Sequence, residues 1–204
     1  MLTDRARSMT RGIVEPLAQV IDRAGLTPNM VTVIGMLLHL LVAVLLGRGH
    51  FAAGGIVLFV AAGIDGLDGT LARQTGRVSP FGAFLDSTLD RISEVLTFFG
   101  LVLYLAWGSF GAGGPPYSAA LVYAAATGSM MVSYARARSE TIGRGTTVGW
   151  MSRMERMALM VFGLLIGWVA PVLWIIAIGA WLTTAHRVHD VWRQSRPAGR
   201  DEPT

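Results

Sequence analysis

Residues 65–90 read DGLDGTLARQTGRVSPFGAFLDSTLD, with four aspartates set between two of the most apolar segments of the chain. Asp65 and Asp68 are three residues apart, and Asp86 and Asp90 are four apart, so each pair shares one face of a helix. Four carboxylates brought together in a low dielectric would repel one another unless cations neutralised them. Such an oxygen-only cluster suits Mg²⁺, Mn²⁺ or Ca²⁺ and does not suit zinc.

The composition around this stretch is that of a membrane protein. Of the 204 residues, 52% are hydrophobic and only 15% are charged, and the mean hydropathy is +0.52. These values are too apolar for an ordinary soluble domain. We therefore expect the basic residues behind the net charge of +4 to interact with anionic lipid, and we expect no nucleic-acid partner. The absence of cysteine excludes thiolate metal ligands and cysteine nucleophiles.

Six long apolar segments predict an all-α integral membrane protein with six transmembrane helices, since each is close to the ~17 to 25 residues that cross a bilayer. The segments are residues 29–47, 52–74, 80–107, 117–139, 152–169 and 171–193. Residues 1–25 place apolar side chains at three- and four-residue spacing, which predicts an amphipathic helix on the membrane surface. We expect residues 1–194 to form a single membrane domain and residues 195–204 to form a mobile tail.

The placement of arginine predicts the orientation in the cell membrane, because positive residues gather on the cytoplasmic side. One side of the membrane would hold the arginines of four regions: the N-terminal helix, the turn at residues 73–77, the connection at residues 136–156 and the chain from Arg187 onward. Both termini and the active site are therefore expected on the cytoplasmic side.

Written with its gaps, the opening stretch is D-x2-D-G-x2-A-R-x8-G-x3-D-x3-D. It resembles, without departure, the signature of the CDP-alcohol phosphotransferases, which are integral membrane enzymes of phospholipid synthesis. Eight fixed positions carry the resemblance: Asp65, Asp68, Gly69, Ala72, Arg73, Gly82, Asp86 and Asp90. The resemblance implies six transmembrane helices, an N-terminal surface helix and a homodimer.

The resemblance also implies a donor, a metal site and a set of residue roles. The donor would be CDP-diacylglycerol or its ether-lipid equivalent, and CMP would be released. Asp65, Asp68 and Asp86 would bind two Mg²⁺ or Mn²⁺ ions, while Asp90 would complete the metal site and act as the catalytic base. The residues assigned to the CDP-lipid are Asn29, Met30, Val31, Thr32, Gly69, Ala72, Arg73, Ser79 and Gly82.

Arginines near the ends of the last three segments point to a phosphorylated acceptor, because a neutral acceptor would not require them. They are Arg136, Arg138, Arg153, Arg156 and Arg187. The run from Tyr134 to Glu140 resembles the Y-x-[KR]-A-R-[AS]-E of bacterial phosphatidylinositol-phosphate synthases and their archaeal counterparts, which implies inositol 1-phosphate as acceptor. Where the bacterial enzymes show E-R-P-E-R, this chain reads SRMER at residues 152–156 and keeps both arginines.

Other interpretations stay open at this point. Glycerol 3-phosphate also needs a cationic pocket, and cytoplasmic arginines are expected on topological grounds alone. Acidic residues within a membrane also occur in divalent-ion transporters, although such a protein has no evident use for Gly69, Ala72 and Arg73 at these offsets. Intramembrane aromatic prenyltransferases use aspartates and a pyrophosphate donor, but they resemble longer chains with two widely separated motifs.

Overall fold

The computed structural model describes residue 16, residues 20–108 and residues 115–196. Within these residues all regular secondary structure is α-helical, which confirms the predicted all-α class. The helices in the described ranges are α1 (Pro28–Gly47), α2 (Phe51–Gln74), α3 (Pro80–Trp107), α4 (Ala119–Thr141), α5 (Arg153–Ile166) and α6 (Val169–Gln194).

Helix starts follow the capping signals in the sequence. The Thr27 hydroxyl accepts the Met30 amide at 3.3 Å, and α1 begins at the proline that follows. Ser79 caps α3 in the same way, again directly before a proline. The fifth segment ends earlier than predicted, at Ile166, because Gly167 adopts a left-handed φ of 78° and stops α5 there.

Three helices in the described part of the chain are long and apolar enough to cross a membrane, namely α1, α2 and α6. Each also exposes large apolar side chains, such as Leu37, Phe59 and Ile178. Exposed apolar surface on long helices is what a lipid environment accommodates. The protein is therefore a membrane protein.

Contacts divide the chain into two compact units, Met1–Gly108 and Ser109–Thr204. In the first unit α1 packs against both α2 and α3. Glycine permits the close approach of α3: a β-carbon at Gly100 would lie 2.7 Å from the Cα of Ala43. On the other side, a β-carbon at Gly54 of α2 would lie 2.7 Å from Cδ2 of Leu46. The first unit thus has α1 at its centre.

In the second unit α6 packs against α4 and α5. Trp181 of α6 lies over Gly128 of α4 and donates its indole N–H to the carbonyl of Ala124 at 3.2 Å. Val172 of α6 packs against Gly163 of α5. Here α6 is the common partner of the other two helices.

The two ends of the chain fall mostly outside the described residues. Most of the predicted surface helix, residues 1–25, lies there, but Ile21 at its end packs with Leu26 against the core of Val31, Leu67 and Leu71. Most of the predicted tail, residues 195–204, lies there too. The surface helix, the tail and the single-domain organisation of residues 1–194 stay predictions.

Candidate active site

The four aspartates lie on the two helices that flank α1. Asp65 and Asp68 are in the second half of α2, and Asp86 and Asp90 are in the first half of α3. Asp68 is buried, with 6% of its surface exposed, and the other three are half-buried. Burial of carboxylates to this degree requires compensating partners.

Asp68 is held by α1. The Thr32 hydroxyl lies 2.7 Å from its Oδ2, and the backbone amide of Gly69 contacts its Oδ1. Thr32 is itself buried, and its Oγ1 also lies 3.1 Å from the carbonyl oxygen of Pro28. The side chain of Asp68 is therefore fixed from two helices.

Asp65 lies against the backbone of α1 at Gly35. A β-carbon at that position would be 2.5 Å from Oδ1 of Asp65, so any other residue would displace the carboxylate. Gly35 is not among the site residues predicted from the sequence. The available signal was a glycine three residues after Thr32, on the same face of an apolar helix.

Asp86 and Asp90 share one face of α3, as their spacing predicts. Oδ2 of Asp90 lies 3.7 Å from Nη1 of Arg91, which also donates to the Ser87 carbonyl at 2.8 Å. This arrangement keeps a fixed cation next to the predicted base.

Among the described residues no three acidic or histidine side chains stand close enough together to share one ion. The aspartates nevertheless fit hard divalent ions in their chemistry. All four are oxygen donors, and Asp68 is oriented by a neighbouring hydroxyl in the way that metal ligands usually are. The four-aspartate metal site accordingly stays a prediction.

Several residues assigned to the CDP-lipid lie at the start of α1 and α3. A β-carbon at Gly82 would lie 3.3 Å from Oδ1 of Asn29 and 3.0 Å from Oγ of Ser79. The Ser79 hydroxyl accepts the Gly82 amide and so caps α3. Met30 is exposed, whereas Val31 is buried in the core. The structure thus brings Asn29, Ser79 and Gly82 together.

Arg73 folds back along α2. Its Nη2 donates to Thr70 at 3.1 Å, and a β-carbon at Gly69 would lie 3.4 Å from its Nη1. Arg73 is exposed and Ala72 is half-buried. An exposed guanidinium beside a glycine can bind a phosphate group.

The arginines assigned to the acceptor all lie in the second unit, and two of them are buried. Arg187 donates to the carbonyls of Val132 at 2.6 Å and Val148 at 3.0 Å. Arg156 donates to the carbonyl of Met151 at 2.7 Å. These two arginines therefore also hold the backbone of their unit in place.

The remaining three are more accessible. Arg136 forms an exposed ion pair with Glu140 at 3.0 Å. Arg138 is exposed, and Arg153 is half-buried at the first position of α5. Arg187 donates to the carbonyl of Val132, one helical turn before Arg136 on α4. Arg187 and Arg156 both donate to carbonyls of the connection between α4 and α5. The structure thus links these arginines through the same short stretch of backbone.

Comparison with known proteins identifies the family of this chain. The family model for CDP-alcohol phosphatidyltransferase matches residues 25–186. The chain belongs to the CDP-alcohol phosphatidyltransferase family. The match contains the whole aspartate motif and four of the five candidate acceptor arginines; the fifth, Arg187, follows the match by one residue.

Relatives within the CDP-alcohol phosphatidyltransferase family are similar over nearly their whole length. The archaetidylinositol phosphate synthase of Pyrococcus horikoshii is 34% identical over 192 residues, covering 93% of this chain and 96% of that protein. The phosphatidylinositol phosphate synthase of Streptomyces avermitilis is 36% identical, covering 97% of this chain and 85% of that protein.

Solved structures of a phosphatidylinositol phosphate synthase are similar to this chain in fold. The Mycobacterium tuberculosis phosphatidylinositol phosphate synthase in complex with manganese and citrate has a TM-score of 0.81 at 29% identity, and 94% of each chain is covered. The same enzyme with CDP-DAG bound has a TM-score of 0.79 at 30% identity, with 94% of this chain and 98% of that chain covered.

Proposed function

We propose that this protein transfers a phosphatidyl-type group from a CDP-linked lipid to a hydroxyl of inositol 1-phosphate and releases CMP. The observation that carries the proposal is the complete eight-position motif, with Asp68 buried and oriented by Thr32 at 2.7 Å. Similarity to enzymes named for phosphatidylinositol phosphate and archaetidylinositol phosphate supports the acceptor. A structure of such an enzyme with CDP-DAG bound supports the donor.

The chemistry is an in-line displacement at phosphorus. The acceptor oxygen forms a bond to the lipid-bearing phosphorus, and the bond from that phosphorus to the CMP oxygen breaks. Asp65, Asp68, Asp86 and Asp90 would hold two Mg²⁺ or Mn²⁺ ions, which when bound neutralise the pyrophosphate and the attacking and leaving oxygens. A manganese-bound relative supports this choice of metal.

The residues of this chain supply the remaining steps. Asp90 takes the proton of the attacking hydroxyl, which makes that oxygen a stronger nucleophile. Arg73, beside Gly69, binds a phosphate oxygen of the donor. Asn29, Ser79 and Gly82, which lie close together, bind the CDP-lipid. In the second unit, Arg136, Arg138, Arg153, Arg156 and Arg187 bind the acceptor phosphate.

The membrane arrangement extends the same proposal. All six helices cross the membrane, preceded by a surface helix, and both termini and the active site face the cytoplasm. The enzyme works as a homodimer. The long apolar helices α1, α2 and α6 support three of these crossings, and the arginine distribution supports the orientation.

The test is release of CMP by purified protein in detergent with Mg²⁺ and CDP-diacylglycerol. Inositol 1-phosphate, glycerol 3-phosphate, free inositol and serine are supplied in parallel, and each is repeated with the ether-lipid donor. Release that depends on inositol 1-phosphate is expected. Release only with glycerol 3-phosphate would overturn the acceptor and keep the reaction, whereas Mg²⁺ flux into proteoliposomes without CMP release would favour a transporter.

A further inference from the structure

The connection between α4 and α5 has no helix or strand, yet it is fixed along its length. We call residues 145–151 the strap. Thr146 is 2% exposed although it lies in this connection. Its amide donates to the Ser139 hydroxyl at 3.1 Å, and that hydroxyl donates to the Arg136 carbonyl at 2.7 Å. The strap is thereby attached to the end of α4 that carries Arg136.

One face of α6 holds the rest of the strap. The positions on this face recur at spacings of three and four residues: Gly179, Thr183, Arg187, Asp190 and Gln194. The strap runs antiparallel to them, so that its last residue contacts the first of these positions and Thr146 contacts Asp190.

At the α5 end, Met151 packs on Gly179, where a β-carbon would lie 2.6 Å from Cγ of Met151. The Met151 amide donates to Thr183 at 3.2 Å, and its carbonyl accepts Arg156 at 2.7 Å. Gly149, with φ of 107°, packs directly on the Thr183 side chain. Only glycine combines this backbone conformation with such a close contact.

At the α4 end, the contact is between two side chains that the proposed function does not use. The Thr146 hydroxyl donates to Oδ2 of Asp190 at 2.6 Å, and Gln194 donates to the same oxygen at 2.9 Å. A hydrogen bond to a carboxylate is stronger than one between neutral groups. Asp190 is thus the side chain that fixes the α4 end of the strap to α6.

The strap leads directly into the arginines of the acceptor site. Its last residue is followed by Ser152, and α5 then begins at Arg153. Arg156 reaches back to the strap, and Arg187 reaches across it to α4. A displacement of the strap would therefore move arginines of two helices, α5 and α6, at once, and small displacements of binding groups weaken binding strongly.

We propose that Asp190 and Thr146 are positioning residues for the acceptor: their hydrogen bond fixes the strap and so sets the geometry of Arg153, Arg156 and Arg187. This inference rests on the proposed function, since it assumes that these arginines bind the acceptor phosphate. It adds two residues that belong neither to the aspartate motif nor to the residues assigned to the donor. It also accounts for a buried threonine in a connection whose other residues are exposed or half-buried.

The test compares Thr146→Val, which keeps the shape and removes the hydroxyl, with Thr146→Ser, which keeps the hydroxyl. Asp190→Ala and Asp190→Asn form a second pair, because asparagine retains an accepting oxygen. We expect Thr146→Val and Asp190→Ala to raise the KM for inositol 1-phosphate about tenfold, as for loss of one buried hydrogen bond to a charged group. The KM for the CDP-lipid should change less than about twofold in the same variants. Thr146→Ser should stay near wild type, and Asp190→Asn, which keeps a neutral acceptor, should raise the KM for inositol 1-phosphate less than Asp190→Ala does.

Hydrogen exchange of the strap peptide gives a readout independent of turnover. Amides of residues 145–151 should exchange faster in Thr146→Val than in wild type, while peptides of α4 and α6 keep their protection. An unchanged KM for inositol 1-phosphate, or an equal loss for donor and acceptor, would overturn the inference.

Failure of the proposed function can be distinguished from failure of the positioning role. If wild type uses glycerol 3-phosphate instead, the same KM comparison is made with that acceptor. If wild type releases no CMP with any acceptor, calorimetric binding of inositol 1-phosphate replaces KM. Equal affinity in wild type and Thr146→Val, or no binding by wild type, then overturns the positioning role.

Discussion

The hydroxyl of Thr32 on α1 lies 2.7 Å from Oδ2 of Asp68 on α2. The two residues are 36 positions apart in the sequence, and both are buried. A buried carboxylate that is hydrogen-bonded by a neighbouring helix cannot rotate freely. Thr32 is therefore placed to orient Asp68, the predicted metal ligand, a role distinct from the direct contact with the CDP-lipid that the sequence predicts for it.

Replacement of Thr32 by valine tests that role. The variant keeps the side-chain volume and loses the hydrogen bond, so we expect the Mg²⁺ concentration for half-maximal CMP release to rise at least about tenfold. Thr32→Ser is the matched control and should stay near wild type. A rise in the KM for the CDP-lipid with unchanged Mg²⁺ dependence would instead indicate direct lipid contact.

Gly35→Ala should impair catalysis through Asp65. The added β-carbon would meet Oδ1 of Asp65 at 2.5 Å, so the carboxylate must move. Displacement of a catalytic group by about 1 Å costs on the order of 100-fold in rate, and we expect a kcat loss of that size. Gly63→Ala on α2 is the control, because a β-carbon there has no neighbour within 4 Å. Equal rates in the two variants would contradict the role of Gly35.

Gly100→Ala should destabilise the first unit rather than impair the chemistry. A β-carbon there would lie 2.7 Å from Cα and 2.8 Å from the carbonyl oxygen of Ala43, and backbone cannot yield as a flexible side chain can. Overpacking of this kind costs about 1–3 kcal/mol. In thermal unfolding in detergent, Gly100→Ala should have a lower midpoint temperature than the control variant Gly63→Ala. Equal midpoints would mean that α1 and α3 move apart to accommodate the added carbon with no loss of stability, which would contradict the prediction.

The helices and the aspartate motif could be predicted because their signals are local. Apolar runs of membrane length define the helices, and Ser79 or Thr27 followed by proline defines two of the starts. The end of α5 was misplaced because apolar residues continue past Gly167, and only its left-handed conformation shows that the helix stops.

Contacts between distant residues could not be predicted. The Thr32–Asp68 and Gly35–Asp65 contacts depend on how α1 crosses α2, which no local pattern encodes. The positive-inside rule explains why Arg156 and Arg187 are arginines on a given side. It cannot show that both are buried and bonded to backbone carbonyls. It also cannot show that Thr146, in the connection before α5, is fixed by Asp190.

Asp90→Asn should remove the base and preserve the fold. Loss of a general base costs about 10²- to 10⁴-fold in kcat, and the isosteric amide keeps the packing of α3. Calorimetry with Mn²⁺ should show whether the ions still bind. The control is Asp22→Asn, whose carboxylate pairs with Arg77 at 3.4 Å on an exposed surface and should leave kcat unchanged. Full activity of Asp90→Asn with retained Mn²⁺ binding would refute the base assignment.

Arg136→Ala should selectively weaken binding of the acceptor. Arg136 is exposed and pairs only with Glu140 at 3.0 Å among the ion pairs found in the described residues, so the substitution leaves no buried group without a partner. Loss of one charge-assisted hydrogen bond to a phosphate should raise the KM for inositol 1-phosphate about 10- to 100-fold. Arg77→Ala, which removes a comparable exposed cation from the first unit, is the control and should leave that KM unchanged. If both variants raise the KM equally, the arginine acts through the general surface charge and not through a defined phosphate site.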